Sequence, residues 1–559
     1  MDDLHGRLRG QKIAYFSMEI GLKKEIPTYS GGLGVLAGDT IRSSADLKLP
    51  LVAVTLVSKK GYFRQEITAE GRQIEHPQEW DPAEFTKLLP SETKVQIQNR
   101  KVKIKTWLYE VQSITGGVIP VLFLDTDVEG NTPEDREITS FLYGGDERYR
   151  LKQEIVLGIG GVRTLDVLGF KTGKYHMNEG HSGLLALELL HKYGMVDVDK
   201  VRESCIFTTH TSVEAGHDKF SYDIVKELMG ETADLELLRR FGGHDKLNMT
   251  RLALNLSNYI NGVAKKHRDV SKEMFPGYEI HAITNGIHSY TWTCESFKKI
   301  YDKHIPGWAN DPDLLVRVDS IPGGEVWQAH EEAKKVLIDH VNKAVNINMN
   351  YDALTLGFAR RSTQYKRANL LFSDMEKLKK VNRKGAIQMI FAGKAHPRDE
   401  SGKNLIKEII NYAEKLKDEI KIVYLENYDI DLAAKLVSGV DVWLNTPLRP
   451  MEASGTSGMK AAHNGVINFS VLDGWWIEGW IEDVTGWAIG PYPDEHLSME
   501  ESRIRELDDL YNKLEYIIIP LFYQKRDEWI KMMKNSMGKI AYYFNSHRMM
   551  RQYVTEAYL

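Results

Sequence analysis

At 559 residues the chain is long enough for two or more domains, each with its own core. An apolar fraction of 42%, a charged fraction of 27% and a net charge of −5 fit a soluble globular protein and give no sign of nucleic-acid binding. Its two cysteines, Cys205 and Cys294, exclude a disulfide framework, and no apolar run reaches the length of a membrane span. The first residues, Met-Asp-Asp-Leu-His-Gly-Arg, lack the basic and apolar regions of a signal peptide, so the expectation is a cytosolic enzyme.

Short apolar runs alternate with amphipathic stretches, the pattern of parallel sheets flanked by helices. Ile13 to Met18 reads as a first strand, followed by the loop Tyr29-Ser30-Gly31-Gly32-Leu33-Gly34 and a helix through about Leu47. A strand ending near Asn178 precedes a helix from Ser182 to about Tyr193, and Cys205 to Thr208 runs into Thr209-His210-Thr211. Glu325 to Val345 reads as the helix leading into a second array. There Leu354 to Ala359, Met389 to Ala392 and Ile422 to Leu425 read as strands, with helices near Lys403 to Leu416 and Asp431 to Leu436. Polar or glycine residues follow the strands, where open α/β sheets keep their ligands. The expected class is α/β, with two doubly wound parallel-sheet domains facing a central cleft. The expected boundaries are 1–350 and 351–519, with closing helices over 520–559 folding back on the first domain.

The most informative stretch is Glu452-Ala-Ser-Gly-Thr-Ser-Gly-Met-Lys-Ala-Ala-His-Asn464, where small residues precede Lys460 and a helix is expected to begin. Backbone N–H groups at a helix start attract phosphate, and the hydroxyls of Ser454, Thr456 and Ser457 can add donors. A free ammonium there opposes the helix dipole. Both features are reconciled if Lys460 is joined as an imine to a cofactor whose phosphate rests on the loop, and pyridoxal phosphate is such a cofactor. A solvated surface lysine after a Gly-Ser turn is the plainer alternative.

Four cations, Arg360, Arg361, Lys366 and Arg367, fall within eight residues just past a strand. They repel unless they face solvent or share an anion, and both readings stand on spacing alone. Arg suits bidentate phosphate contacts and Lys serves as a flexible point charge. The Gly31-Gly32-Leu33-Gly34 loop reads as a tight turn or a phosphate loop. The tryptophans Trp475, Trp476, Trp480 and Trp487 read first as core, although such rings can stack on sugars.

The lysine segment resembles the pyridoxal-phosphate attachment segment of the α-glucan phosphorylases, which act on glycogen, starch and maltodextrin. The resemblance is collinear over nearly the whole chain and is closest to the compact bacterial and archaeal type. It implies a GT-B-like glycosyltransferase fold, with Lys460 as the cofactor lysine. Arg361 and Lys366 fall on the residues that bind substrate phosphate, and Arg360 replaces a lysine expected at the cofactor phosphate. Thr456 and Ser457 would cradle that phosphate, with Tyr428 and Tyr365 near the phosphates and sugar. Gly32 would donate to phosphate and Leu33 would approach the sugar through its main chain. His210 and Asn285 would meet the glucose 6-hydroxyl, and Glu452, Ser454 and Gly455 the 3- and 4-hydroxyls. Glu179 and His181 border the site. Ser30, Gly21 and His463 depart from the family pattern. No metal is expected.

The implied reaction is retaining phosphorolysis of terminal α-1,4-linked glucose by inorganic phosphate, giving α-glucose 1-phosphate, with the cofactor phosphate assisting proton transfer. Retaining glycosidases use two carboxylates about 5 Å apart. Only Glu452 has a sugar-site warrant here, and phosphate, with a second pKa near 6, can supply the acid. The expected partners are α-glucan or maltodextrin and inorganic phosphate, with no nucleic acid and no membrane; a homodimer is implied only by the family. The alternatives are a nucleotide-sugar-dependent, glucan synthase-like glucosyltransferase and a catalytically silent glucan-binding protein.

Overall fold

A computed structural model describes residues 11–194, 197–495 and 497–559. The N-terminal residues read for a leader lie outside the described residues. Among those described, no helix is long and apolar enough to cross a membrane. The chain divides into two compact units. One holds the residues up to Phe63, Pro77–Thr284 and Met549–Leu559; the other holds Arg64–His76 and Asn285–Arg548.

The first unit is built on a nine-stranded sheet of β1 (Lys12–Ser17), β2 (Leu51–Leu56), β3 (Lys87–Ile97), β4 (Arg100–Gln112), β5 (Val118–Asp125), β6 (Thr172–Asn178), β7 (Cys205–Thr208), β8 (Tyr259–Gly262) and β9 (His281–Ala282). Their order is β9-β8-β7-β6-β1-β2-β5-β4-β3. The strands from β9 to β5 pair in parallel, while β5, β4 and β3 form an antiparallel edge. Side chains alternate across a strand, so β1 serves two cores. Ala14 and Phe16 join the core on one face, and Ile13 and Tyr15 the core on the other. The second core also takes Met549, Met550, Tyr553 and Tyr558 from the C-terminal segment.

Buried polar contacts fix that segment. Thr208 Oγ1 donates to Asn261 Oδ1 at 2.8 Å, so His176 Nε2, 2.8 Å away, is the donor to Thr208. That leaves His176 Nδ1 to accept from the Tyr558 hydroxyl at 2.7 Å. Burial lowers the His176 pKa to about 3, keeping the ring neutral as this arrangement requires.

The second unit is built on a six-stranded, all-parallel sheet: β10 (Leu354–Ala359), β11 (Ile387–Ala392), β12 (Lys421–Leu425), β13 (Val442–Asn445), β14 (Ile467–Val471) and β15 (Gly486–Ile489). The order β12-β11-β10-β13-β14-β15 is that of a doubly wound sheet, with its switch point between β10 and β13. One core joins these strands to helices on both sides of them in sequence, from Phe297 to Ala541. Of the four tryptophans read as core, Trp475, Trp476 and Trp487 are buried, whereas Trp480 is half-buried.

Replacing Tyr558 by Phe removes the donor to His176 Nδ1 and strands a buried nitrogen. The expected cost is about 1–3 kcal/mol. Denaturant unfolding together with faster amide exchange in β6 and β7 would register it, and unchanged values would contradict this anchoring.

Candidate active site

In the second unit the side chains of interest gather past the C-terminal ends of β10 and β13, at the switch point. Ala359 closes β10, and the next two arginines diverge because successive side chains of extended chain point to opposite sides. Arg360 turns inward, with its side chain 11% exposed, whereas Arg361 is exposed. Arg360 Nη2 donates to Glu452 Oε2 at 2.7 Å, and Lys366 Nζ donates to the same oxygen at 2.6 Å. The Lys366 ammonium also lies 4.5 Å from the centre of the Tyr365 ring. Burial alone would raise the Glu452 pKa, but the charges of Arg360 and Lys366 outweigh it and hold the group at about 2. Arg360 Nε is buried with no acceptor among the described residues. Tyr428 is nearby: burial raises its hydroxyl pKa, and the Arg360 charge partly opposes the rise. The backbone there is tight, because a Cβ at Gly393 would lie 2.0 Å from Arg360 O.

The expected helix start is corrected. Helix α2 runs Ser457–His463, so Lys460 is its fourth residue rather than its first. Thr456 caps it through its main chain, accepting from Lys460 N at 3.2 Å, and makes no side-chain cap. Lys460 is buried; its Nζ donates to Thr456 Oγ1 at 3.3 Å and stands 4.0 Å from the centre of the Trp292 ring. Ser457 Oγ accepts from Trp443 Nε1 at 3.0 Å, and Ser454 Oγ donates to Gly455 O at 3.0 Å. Gly455 has a φ of 76°, in the region that favours glycine.

The far end of α2 is clamped by the segment carrying Trp292. Asn464 Nδ2 donates to Trp292 O and Lys460 O, its Oδ1 accepts from Cys294 N, and Tyr301 donates to His463 O. His463 Nδ1 faces Met459 O at 2.8 Å and must donate, so Nε2 accepts from Ser289 Oγ at 2.9 Å. Burial lowers its pKa to about 4. The departure at His463 is thus a neutral, fully bonded packing residue. Asn285 also lies in this unit: its carbonyl accepts from Arg548 Nη2 at 3.1 Å, and its buried Oδ1 has no partner among the described residues.

In the first unit the switch point lies between β1 and β6. Gly32 and Leu33 open helix α1 (Gly32–Asp46), and a Cβ built on Gly31 or Gly32 would meet nothing within 4 Å. Glu19, just past β1, holds the loop from beneath. Its carboxylate accepts from Ser30 N at 2.6 Å, Gly31 N at 3.2 Å and Tyr143 OH at 2.9 Å. Ser30 Oγ points to the same carboxylate. A Cβ at Gly34 would lie 2.7 Å from Glu19 Oε2, so glycine is needed there. Past β6, the Glu179 carboxylate accepts from His210 N and Thr211 Oγ1, while His210 Nε2 pairs with Asn178 Oδ1 at 2.6 Å. Burial raises the pKa values of Glu19 and Glu179 and lowers that of His210 to about 3.

The structure therefore gathers Arg360, Lys366, Tyr365 and Glu452 into one cluster, and Thr456 with Lys460 into another. Arg361, exposed and without a polar contact among the described residues, stands outside the first. Glu19 and Trp292 were not among the residues singled out as functional. Glu19 directly follows the strand read over Ile13 to Met18, and nothing local to Trp292 announces its place beside Lys460.

Residues 198–487 match the family model described as Carbohydrate phosphorylase. The chain is 41% identical to the maltodextrin phosphorylase of Thermococcus litoralis, over 98% of this chain and 70% of that one. It is 37% identical to the glycogen phosphorylase of Aquifex aeolicus, over 98% and 86%, and 34% identical to that of Mycobacterium tuberculosis, over 98% and 70%.

Replacing Glu452 by Gln leaves Arg360 and Lys366 facing each other while buried. A loss of about 3–5 kcal/mol is expected at neutral pH. Because the folded pKa of about 2 lies below the ordinary 4.5, the carboxylate adds stability above pH 4.5 that is lost as pH falls toward 2. The variant should lack that acid dependence, and added phosphate should raise its denaturation midpoint more than the wild type's. Wild-type stability and no anion response would contradict the pairing.

Proposed function

The chain belongs to the carbohydrate phosphorylase family, and from that premise we propose that it is an α-glucan phosphorylase. It would cleave the terminal α-1,4 bond of maltodextrin or glycogen with inorganic phosphate and release α-glucose 1-phosphate. The observation that carries the reading is the convergence of Arg360 and Lys366 on Glu452 Oε2 at the sheet's switch point. Two inward cations, already desolvated, offer an anion site.

The residues fit pyridoxal phosphate as a resident cofactor. Lys460 is a buried amine beside an aromatic face, and Arg360 Nε is a buried donor lacking an acceptor among the described residues. Lys460 would hold the cofactor covalently, with Thr456, Ser457, Arg360 and Tyr428 around it. When bound, it supplies a phosphate group able to exchange a proton near neutral pH.

Lys366 would hold the substrate phosphate, with Arg361 as the second cation; its exposed side chain must turn inward to serve. In the first unit, Gly32 would offer its N–H to phosphate, and Leu33 and His210 their main chains to the sugar. In the second, Tyr365 and Asn285 would face the sugar, and Glu452, Ser454 and Gly455 its 3- and 4-hydroxyls. The bond from glucose C1 to the glucan oxygen breaks as a phosphate oxygen bonds C1 from the leaving-group side. The proton of the substrate phosphate passes to the departing oxygen. Lys366 stabilises the charge that remains on phosphate, an effect that is large where water is excluded.

The test is release of glucose 1-phosphate from maltodextrin, with pyridoxal phosphate supplied. Phosphate-dependent product is expected, and Lys460→Ala should abolish both cofactor retention and turnover. Full phosphorolysis by Lys460→Ala without added pyridoxal would refute the assignment.

A further inference from the structure

Three consecutive residues past β14 bind the loop that carries Glu452. Asp473 Oδ2 accepts from Glu452 N at 2.9 Å, and Asp473 Oδ1 accepts from Gly474 N at 2.9 Å. Trp475 N donates to Ser454 O at 2.9 Å. Between them Gly474, at a φ of 55°, presses so close that a Cβ would lie 2.3 Å from Ser454 O. Residues 473–475 and 452–454 are thus joined by side chain, backbone and contact, with no room for slippage.

The same turn reaches the lysine helix. A Cβ at Gly458 would lie 2.7 Å from Trp475 Cζ2, and one at Gly455 would lie 3.4 Å from Trp475 Cδ1. Asp473 is buried, and the two N–H donors it satisfies are both main-chain groups of the turn and loop. Glu452 itself is divided: Oε2 takes both cations, and Oε1 lies on the Gly455 side, 3.7 Å from a Cβ built there. The two cations can fix the charge of Glu452, but the direction of Oε1 depends on where its backbone is held. That backbone is held by Asp473.

We propose that Asp473 is a positioning residue for the sugar site: through the Glu452 N–H it aims the free edge of Glu452 and so sets recognition of the glucose 3- and 4-hydroxyls. The inference rests on the phosphorylase reading, in which Glu452 meets those hydroxyls. Asp473 touches neither sugar nor phosphate in this role. Its effect is discrimination between sugars, since a site built to bond a hydroxyl rejects the analogue lacking it.

The experiment compares kcat/KM for α-glucose 1-phosphate and its 3-deoxy analogue in chain extension of maltodextrin. The wild type should strongly prefer the full sugar. Asp473→Ala should reduce that preference by about 10-fold, the worth of one misaligned hydrogen bond, with bound cofactor and the KM for inorganic phosphate nearly unchanged. Asp473→Asn, which keeps one oxygen for the Glu452 N–H, should recover part of the preference. Should Asp473→Ala fail to fold, Gly474→Ala carries the test, because its methyl displaces Ser454 and should lower the same ratio. A wild-type ratio in a folded Asp473→Ala or Gly474→Ala protein overturns the inference and leaves the phosphorylase reading standing. A wild type that extends maltodextrin with neither sugar phosphate overturns that reading and the inference with it.

Discussion

Two cations brought to one carboxylate oxygen organise the second unit. Arg360 and Lys366 are six positions apart in the chain, inward-facing and of like charge, a combination that costs several kcal/mol unless an anion lies between them. Glu452 is that anion, supplied from past β13, so the strand order that places β10 beside β13 is a precondition of the cluster. The arrangement also explains its fitness for phosphate chemistry. Cations already desolvated and oriented act on an incoming anion without reorganising first.

Holding such a cluster falls to the backbone. The chain approaches itself so closely that a Cβ would clash at Gly393 against Arg360, at Gly474 against Ser454 and at Gly34 against Glu19, among other glycines. Buried carboxylates then take main-chain N–H groups as partners. Glu19 fixes Ser30 and Gly31, Glu179 fixes His210, and Asp473 fixes Glu452. Each sits just past a strand, so rigid sheets carry the loops into place and acidic side chains lock them.

Much of this was legible in the sequence. Cys205–Thr208 and Leu354–Ala359 coincide with strands because buried parallel strands read as short apolar runs closed by polar residues. Helix α2 starts three residues before Lys460 because Gly458, a poor helix former, packs so tightly against Asn468 and Trp475 that tertiary contact sets its conformation. The contrast between Arg360 and Arg361 was not legible, because adjacent identical residues differ only in the face they present. The tethers made by Glu19 and Asp473 span 11 and 21 residues, and the Trp292 contact with Lys460 joins more distant segments still. Such pairings arise from the folded topology, and no local spacing announces them.

Calorimetric titration of inorganic phosphate into the cofactor-loaded protein tests whether Lys366 belongs to an anion site selective for phosphate. Wild-type protein should bind phosphate with an affinity that falls as salt rises, and Lys366→Gln should weaken that affinity by about 10-fold or more while glucan binding persists. Equal phosphate affinity in the two proteins would contradict the account.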